Sequence, residues 1–200
     1  MTIVEDRPDA GHATARRAMI DSQLRTSGIN APFVLRRMGQ VARERFVPEA
    51  RAGAAYMDRA VPLEGGRWLA SPAVQGMMLQ EARPRLSDRA LLIDGGSGYM
   101  AELLRPLVGS LDIADPAAGA GGDVGHGYTL LVVDGAVEQL PEVLIGRLAP
   151  EARIVTGLAE QSVTRIAVGR VAAGAAALLP VAELGIPLLP EFAAPKGWSF

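Results

Sequence analysis

The segment Arg89-Ala-Leu-Leu-Ile-Asp94-Gly-Gly-Ser-Gly98-Tyr99 constrains the fold more than any other stretch of the chain. A short run of consecutive apolar residues suits a strand buried on both faces, as in a parallel sheet covered by helices. It runs straight into a glycine turn, and a helical pattern follows from Tyr99 to Leu107. A strand that ends in glycine and opens a helix makes an anion- or dinucleotide-type pocket. The backbone can approach a ligand closely there, and the first helical N–H groups are free. The turn is neither G-x-G-x-x-G nor a P-loop, so on its own it leaves a ligand-free tight turn open.

Neighbouring segments extend the pattern. Strands are predicted over Ser110–Asp115, Tyr128–Asp134 and Arg153–Leu158, with a helix over Ala136–Leu148. Alternating strands and helices imply an α/β, doubly wound sheet. Val163–Ala172 and Ala176–Leu184, on either side of Gly174, form an antiparallel C-terminal hairpin that closes it. The Ala/Gly stretch 117–127 is expected to be a loop.

The organisation before the first strand differs. Residues 1–12 are expected to be a disordered tail, 13–87 a helical region and 88–200 the sheet domain with its hairpin. A helix over Ala13–Thr26 stops at Gly28, and Asn30 with Pro32 suits the start of the next. A short helix is expected over Pro48–Tyr56. Ser71-Pro72 is a strong helix start, serine as N-cap and proline at the first helical position. The tail Ala193–Phe200, with Trp198, is either a frayed end or an aromatic plug.

Composition closes off several function classes. The chain has 200 residues, enough for one core, and no cysteine, hence no disulfides and no thiolate chemistry. A net charge of −2 lacks the basic excess of a dedicated nucleic-acid binder. Lys196 is the single lysine, near the C-terminal end, which argues against Schiff-base chemistry. The most apolar stretch, Ile166–Leu189, is interrupted by Arg170, Pro180, Glu183 and Pro187, so no membrane span is expected. The N-terminal stretch is polar and carries acids, unlike a signal peptide, so the expected setting is soluble and cytoplasmic.

The first half of the chain carries Met19-Ile-Asp-Ser-Gln-Leu-Arg25, Gly28-Ile29, Val34-Leu35, Arg43-Glu44, Phe46-Val-Pro48 and Ala55-Tyr-Met-Asp58. In this it resembles the protein-L-isoaspartate O-methyltransferase family, and the resemblance is specific. It continues through Pro62-Leu63, Gly66, Pro72 and the glycine loop, and resumes at Val133-Asp-Gly-Ala136 with Pro141. It implies a Rossmann-like class I methyltransferase fold that uses S-adenosylmethionine to methylate the carboxylate of isoaspartyl residues in damaged proteins. Such a transfer needs positioning and desolvation rather than a metal or an obligatory general base. The resemblance places Asp94, Gly95, Gly96, Ser97, Gly98, Tyr99, Asp115 and Asp134 at the cofactor. It places Ala70, at the family's serine position, and the adjacent Ser71 at the substrate.

Four departures separate the chain from that pattern. The family's E-I-G-x-G-S-G-Y becomes Leu92-Ile-Asp94-Gly-Gly96-Ser-Gly98-Tyr, with a carboxylate at the first glycine. No acid stands at the expected ribose position, where Ile113 or Ala114 falls, although Asp115 is close by. Only 12 residues separate Asp115 from Tyr128, too few for another helix and strand, so at least one element is missing between the second and third strands. In Gly66-Arg-Trp-Leu-Ala70-Ser71-Pro72, alanine replaces the substrate-loop serine, and Ser71 suits a helix cap. These departures favour a non-catalytic binding or interaction module, possessing a cofactor site or none, over an active divergent carboxyl methyltransferase. Loss of an element is expected to uncover the sheet near Leu111–Ile113 and Leu130–Val132, where a second copy of the chain would dock.

Overall fold

The computed structural model describes residues 8–194. Helix α1 (Pro8–Met19) continues through a π-helical turn at Ile20–Leu24, and α2 (Pro32–Gln40) follows. Two 3-10 turns lead to a hairpin of β1 (Val61–Pro62) and β2 (Trp68–Leu69), then to α3 (Pro72–Ala82). The remainder alternates: β3 (Arg89–Ile93), α4 (Tyr99–Leu104), β4 (Ser110–Ala114), α5 (Pro116–Gly121), β5 (Tyr128–Val137), α6 (Glu142–Ile145) and β6 (Leu148–Glu160). It ends in the hairpin β7 (Val163–Ala172) and β8 (Ala175–Glu183) and a 3-10 turn at Pro190–Phe192.

Six strands form one sheet in the order β4-β3-β5-β6-β7-β8. The first four are parallel and the last two antiparallel. This is the α/β Rossmann-like sheet with a C-terminal hairpin. Strand β4 lies at the edge, and only the six-residue α5 separates it from β5 along the chain, so no further strand or long crossover helix stands between them.

Two hydrophobic layers sandwich the sheet. Ala90, Leu92, Leu130 and Val132 face α3, α4 and the N-terminal helices, with Met19, Leu24, Ile29, Val34 and Met38 fully buried. Leu91, Ile93, Leu131 and Val133 face Val124, Leu144, Leu189 and Phe192. Helix α3 is buried on nearly every side because it fills the space between the sheet and the N-terminal helices. Ser71 caps it and accepts from Val74 N at 3.4 Å, with Pro72 opening the helix.

Several expectations need correction. Helix α1 begins at Pro8, so residues 8–12 are helical; residues 1–7 and 195–200, with the expected plug of Trp198 and Phe200, lie outside the described residues. Ala31, not Asn30, caps α2; the N–H groups of Asn30 and Ala31 instead donate to the Gln80 side chain on α3, a tertiary partner no local pattern reveals. The Ala/Gly stretch is partly helical, because Asp115-Pro116 starts α5 and Asp115 Oδ1 accepts from Ala118 N at 2.8 Å. The helix expected over Ala136–Leu148 is reduced to four residues after Pro141. The chain stays extended through Val137 because Ala136 bonds the C-terminal segment, donating to Pro187 O and accepting from Leu189 N. Leu130–Val132 are buried inside the molecule, covered on one face by α3 and α4 and on the other by Val124, Leu189 and Phe192. Of the two expected segments, the one on the β4 edge stays open, with Ile113 46% exposed.

Candidate functional site

The site is built where β3, β4 and β5 end. In an open parallel sheet this is where ligands bind, at the carboxyl ends of the strands beside a change in strand order. Strand β3 gives way to the glycine turn, whose residues are packed too closely for side chains. A Cβ on Gly95 would lie 2.2 Å from the Asp134 carbonyl oxygen. Gly96 has φ +106°, and a Cβ there would lie 2.8 Å from Cγ of Arg67.

Asp94, at the unexpected position, staples the turn. Its carboxylate accepts from Gly96 N and from Gly98 N, each at 3.1 Å. Burial raises its pKa, and the two amides and the Arg67 charge oppose that rise. The Ser97 hydroxyl accepts from Tyr99 N at 3.2 Å, a second local closure. The Tyr99 side chain does not reach the cleft. It is fully buried, edge-on to Phe46 and 4.8 Å beneath the Arg43 guanidinium, so its expected cofactor contact is limited to its backbone.

Asp134 comes from an irregular stretch of β5. Pairing with β6 runs to Val132 and resumes at Ala136, leaving residues 133–135 out of that ladder. Such bulges re-aim side chains beside sites. The Asp134 carboxyl is 5% exposed; Oδ2 accepts from Gln75 Nε2 at 2.9 Å, and Oδ1 is buried with no partner. Burial, reinforced by the nearby Asp94 charge, pushes its pKa up to about 7.

Behind this carboxyl lies a buried polar chain to which the sequence reading assigns no role, although Arg43 belongs to a quoted motif. Arg43 is fully buried, donating to Ala55 O at 2.7 Å, to Gln75 Oε1 at 2.5 Å and to Ala70 O. Gln75 therefore links Arg43 to Asp134 across α3. Ala70 is 3% exposed with its carbonyl committed to Arg43, and the Ser71 hydroxyl is committed to its helix. The structure thus brings Asp94, the glycine turn and Asp134 together. It places Asp115 at the end of β4, on the rim, and Ala70 and Ser71 in packing roles beneath.

The sequence reading also gives no role to Glu191 or to Arg67, although Arg67 lies in the segment compared with the family's substrate loop. Arg67 sits in the β1–β2 turn and pairs with Glu191 at 2.5 and 3.2 Å. Asp115 and Asp94 also act on its charge. Beside the rim, an open groove of about 540 Å³ runs along β4, lined by Ile113, Asp115, Val124 and Tyr128 among others. Among the described residues, no three His, Asp or Glu side chains are placed to hold a metal ion, and no helix is long and apolar enough to cross a membrane.

The model of the protein-L-isoaspartate(D-aspartate) O-methyltransferase family matches residues 14–113, from α1 to the end of β4. A Methanoculleus marisnigri protein-L-isoaspartate O-methyltransferase is 33% identical over 165 residues, covering 70% of this chain and 75% of that protein. The chain belongs to the protein-L-isoaspartate O-methyltransferase family. A second relative, protein-L-isoaspartate O-methyltransferase 2 of an Anaeromyxobacter species, is 39% identical over 111 residues, or 52% of this chain. That match spans 46% of the relative's length, and matches to Desulfosudis oleivorans and Protochlamydia amoebophila relatives span 48% and 42% of theirs. The fold is shared with a Plasmodium falciparum chain described as a protein-L-isoaspartate O-methyltransferase in complex with S-adenosyl-L-homocysteine. That likeness has a TM-score of 0.69 at 16% identity, covering 90% of this chain and 98% of the other. This chain opens its glycine turn with the Asp94 carboxylate and has β4 at the edge of its sheet.

Proposed function

We propose that the chain is an S-adenosylmethionine-dependent carboxyl methyltransferase that acts on isoaspartyl residues of damaged proteins. The observation that carries this is the glycine turn between β3 and α4, ringed by Asp94, Asp115 and Asp134 at three adjacent strand ends. These residues fit the cofactor. The orphaned Asp134 Oδ1 and the neighbouring Asp94 suit an ammonium group, and Asp115, whose cap uses one oxygen, leaves the other for ribose hydroxyls. When bound, S-adenosylmethionine supplies a sulfonium methyl that passes to a carboxylate oxygen as the C–S bond breaks and a neutral thioether leaves.

The chain's own residues supply placement and charge. An ionised carboxylate needs no base to become a nucleophile at neutral pH, so the protein's task is to hold it in line and exclude water. Below the β1–β2 hairpin that carries Arg67, a groove of about 330 Å³ is lined by Val61, Pro62 and Trp68, with Arg51 and Arg59 beside them. Neither guanidinium makes an ion pair among the described residues, which suits an anionic peptide.

One observation favours a second reading, a protein that binds the nucleoside without transferring methyl. Ala70 offers no hydroxyl at the family's serine position. Transfer of labelled methyl from S-adenosylmethionine to an isoaspartyl peptide separates the two. Base-labile label on the peptide, absent with the aspartyl control, supports the enzyme. Ligand binding without label leaves the second reading.

A further inference from the structure

The cationic ends of an S-adenosyl ligand have carboxylates to meet them, but its α-carboxylate needs a cation. Arg67 is the guanidinium at the glycine turn. Its aliphatic stem lies over Gly96, and its charge is felt by Asp94, Asp115 and Glu191. Two backbone bonds fix its turn, Leu63 N to Arg67 O and Arg67 N to Glu64 O.

Glu191 comes from the far end of the chain. The segment carrying it is tied to the end of β5: Leu189 N donates to Ala136 O, the amides of Glu138 and Gln139 donate to Phe192 O, and the Phe192 side chain is buried. The anchors hold the strap across the strand ends, and Glu191 reaches from it to grip Arg67 with both oxygens. A two-pronged carboxylate–guanidinium pair is the geometry in which a ligand carboxylate would bind the same arginine.

We propose that Arg67 is the carboxylate-binding residue of the cleft and that Glu191 is an internal stand-in, holding Arg67 across the glycine turn until an amino-acid carboxylate displaces it. The assignment rests on the S-adenosyl reading above and adds the residue that selects for the amino-acid arm. The exchange is like for like: a ligand carboxylate offers Arg67 the same two acceptor oxygens, and solvent reaches both partners, which keep 28% and 25% of their side-chain surface exposed. Glu191→Gln keeps the shape of the strap and removes the competing charge.

The test is calorimetry with two probes, S-adenosylhomocysteine and 5′-methylthioadenosine, the latter a nucleoside thioether with no amino-acid arm. Against the wild type, Glu191→Gln is expected to bind S-adenosylhomocysteine about fivefold tighter. Arg67→Gln is expected to bind it at least about tenfold more weakly. Neither change should move 5′-methylthioadenosine. Equal affinity of wild type and Arg67→Gln for S-adenosylhomocysteine overturns the assignment and leaves the S-adenosyl reading standing. Tighter binding of both probes by Glu191→Gln would make the strap a steric cover and also overturn it. If no protein binds either probe, the S-adenosyl reading falls. Amide exchange in the ligand-free protein then decides the pairing itself: faster exchange over 64–68 and 189–193 in Glu191→Gln supports it, and unchanged exchange refutes it.

Discussion

Asp134→Asn tests whether the site holds a carboxyl kept protonated by its surroundings. The Asp134 carboxyl is buried, one oxygen bonds Gln75 and the other has no partner. Burial and Asp94 raise its pKa from 3.8 to about 7. A carboxyl raised on folding is protonated in the native state and ionised in the unfolded chain between those two values. Folding stability is therefore intact below the unfolded pKa, falls as pH rises toward about 7, and levels off above it. At about 1.4 kcal/mol per unit, a shift of about three units is worth about 4 kcal/mol in full. Asparagine cannot ionise, so the variant escapes this loss while keeping an acceptor for Gln75. Urea unfolding of both proteins from pH 5 to pH 8 should show the variant gaining on the wild type by about 3 kcal/mol across that range. Groups held below their ordinary values, Glu44, Asp112 and Glu191, act in the opposite direction at lower pH and cancel in the comparison. A gap that does not change with pH would refute the reasoning.

Three further substitutions probe the surrounding structure. Arg43→Met strips the donors from Gln75, Ala55 O and Ala70 O. It should cost about 3–5 kcal/mol in chemical denaturation, and a loss under about 1 kcal/mol would contradict the buried chain's role. Ser71→Ala should cost about 1 kcal/mol of stability as a lost cap and leave S-adenosylhomocysteine affinity unchanged; a fall in affinity at unchanged stability would make Ser71 a ligand contact. Gly96→Ala, at a positive φ beneath the Arg67 stem, should lower stability by about 1–3 kcal/mol, read by thermal unfolding. An unchanged melting temperature would mean that the turn tolerates a side chain.

The parts legible in the sequence were those with strong local signals. The apolar run at Arg89–Ile93 is a strand buried by neighbours on both faces, and Ser71-Pro72 starts a helix by local hydrogen bonding. Asp94 and Gly96 could be placed just past a strand because the apolar run locates its end, whereas Asp134 lies in the irregular stretch of β5, which runs on to Val137. What escaped was set at long range. Ala136 looks helical, yet bonds to Pro187 and Leu189 hold it extended. Asn30 looks like a cap, yet Gln80 supplies the acceptor from a helix fifty residues away. The missing crossover was legible from spacing, but the covering of Leu131 was not, because it comes from Leu189 and Phe192 some sixty residues on, while Leu130 and Val132 lie under α3 and α4. Arg67 and Glu191 lie 124 residues apart, and nothing local marks them as partners.

The central claim is that the cleft at the glycine turn takes an S-adenosyl ligand. Titration calorimetry of the wild-type chain with S-adenosylmethionine tests it most directly. The carboxylates at the strand ends predict saturable binding in the micromolar range, tighter than for S-adenosylhomocysteine, whose sulfur is a neutral thioether rather than a sulfonium. No heat and no thermal shift at millimolar ligand would contradict it.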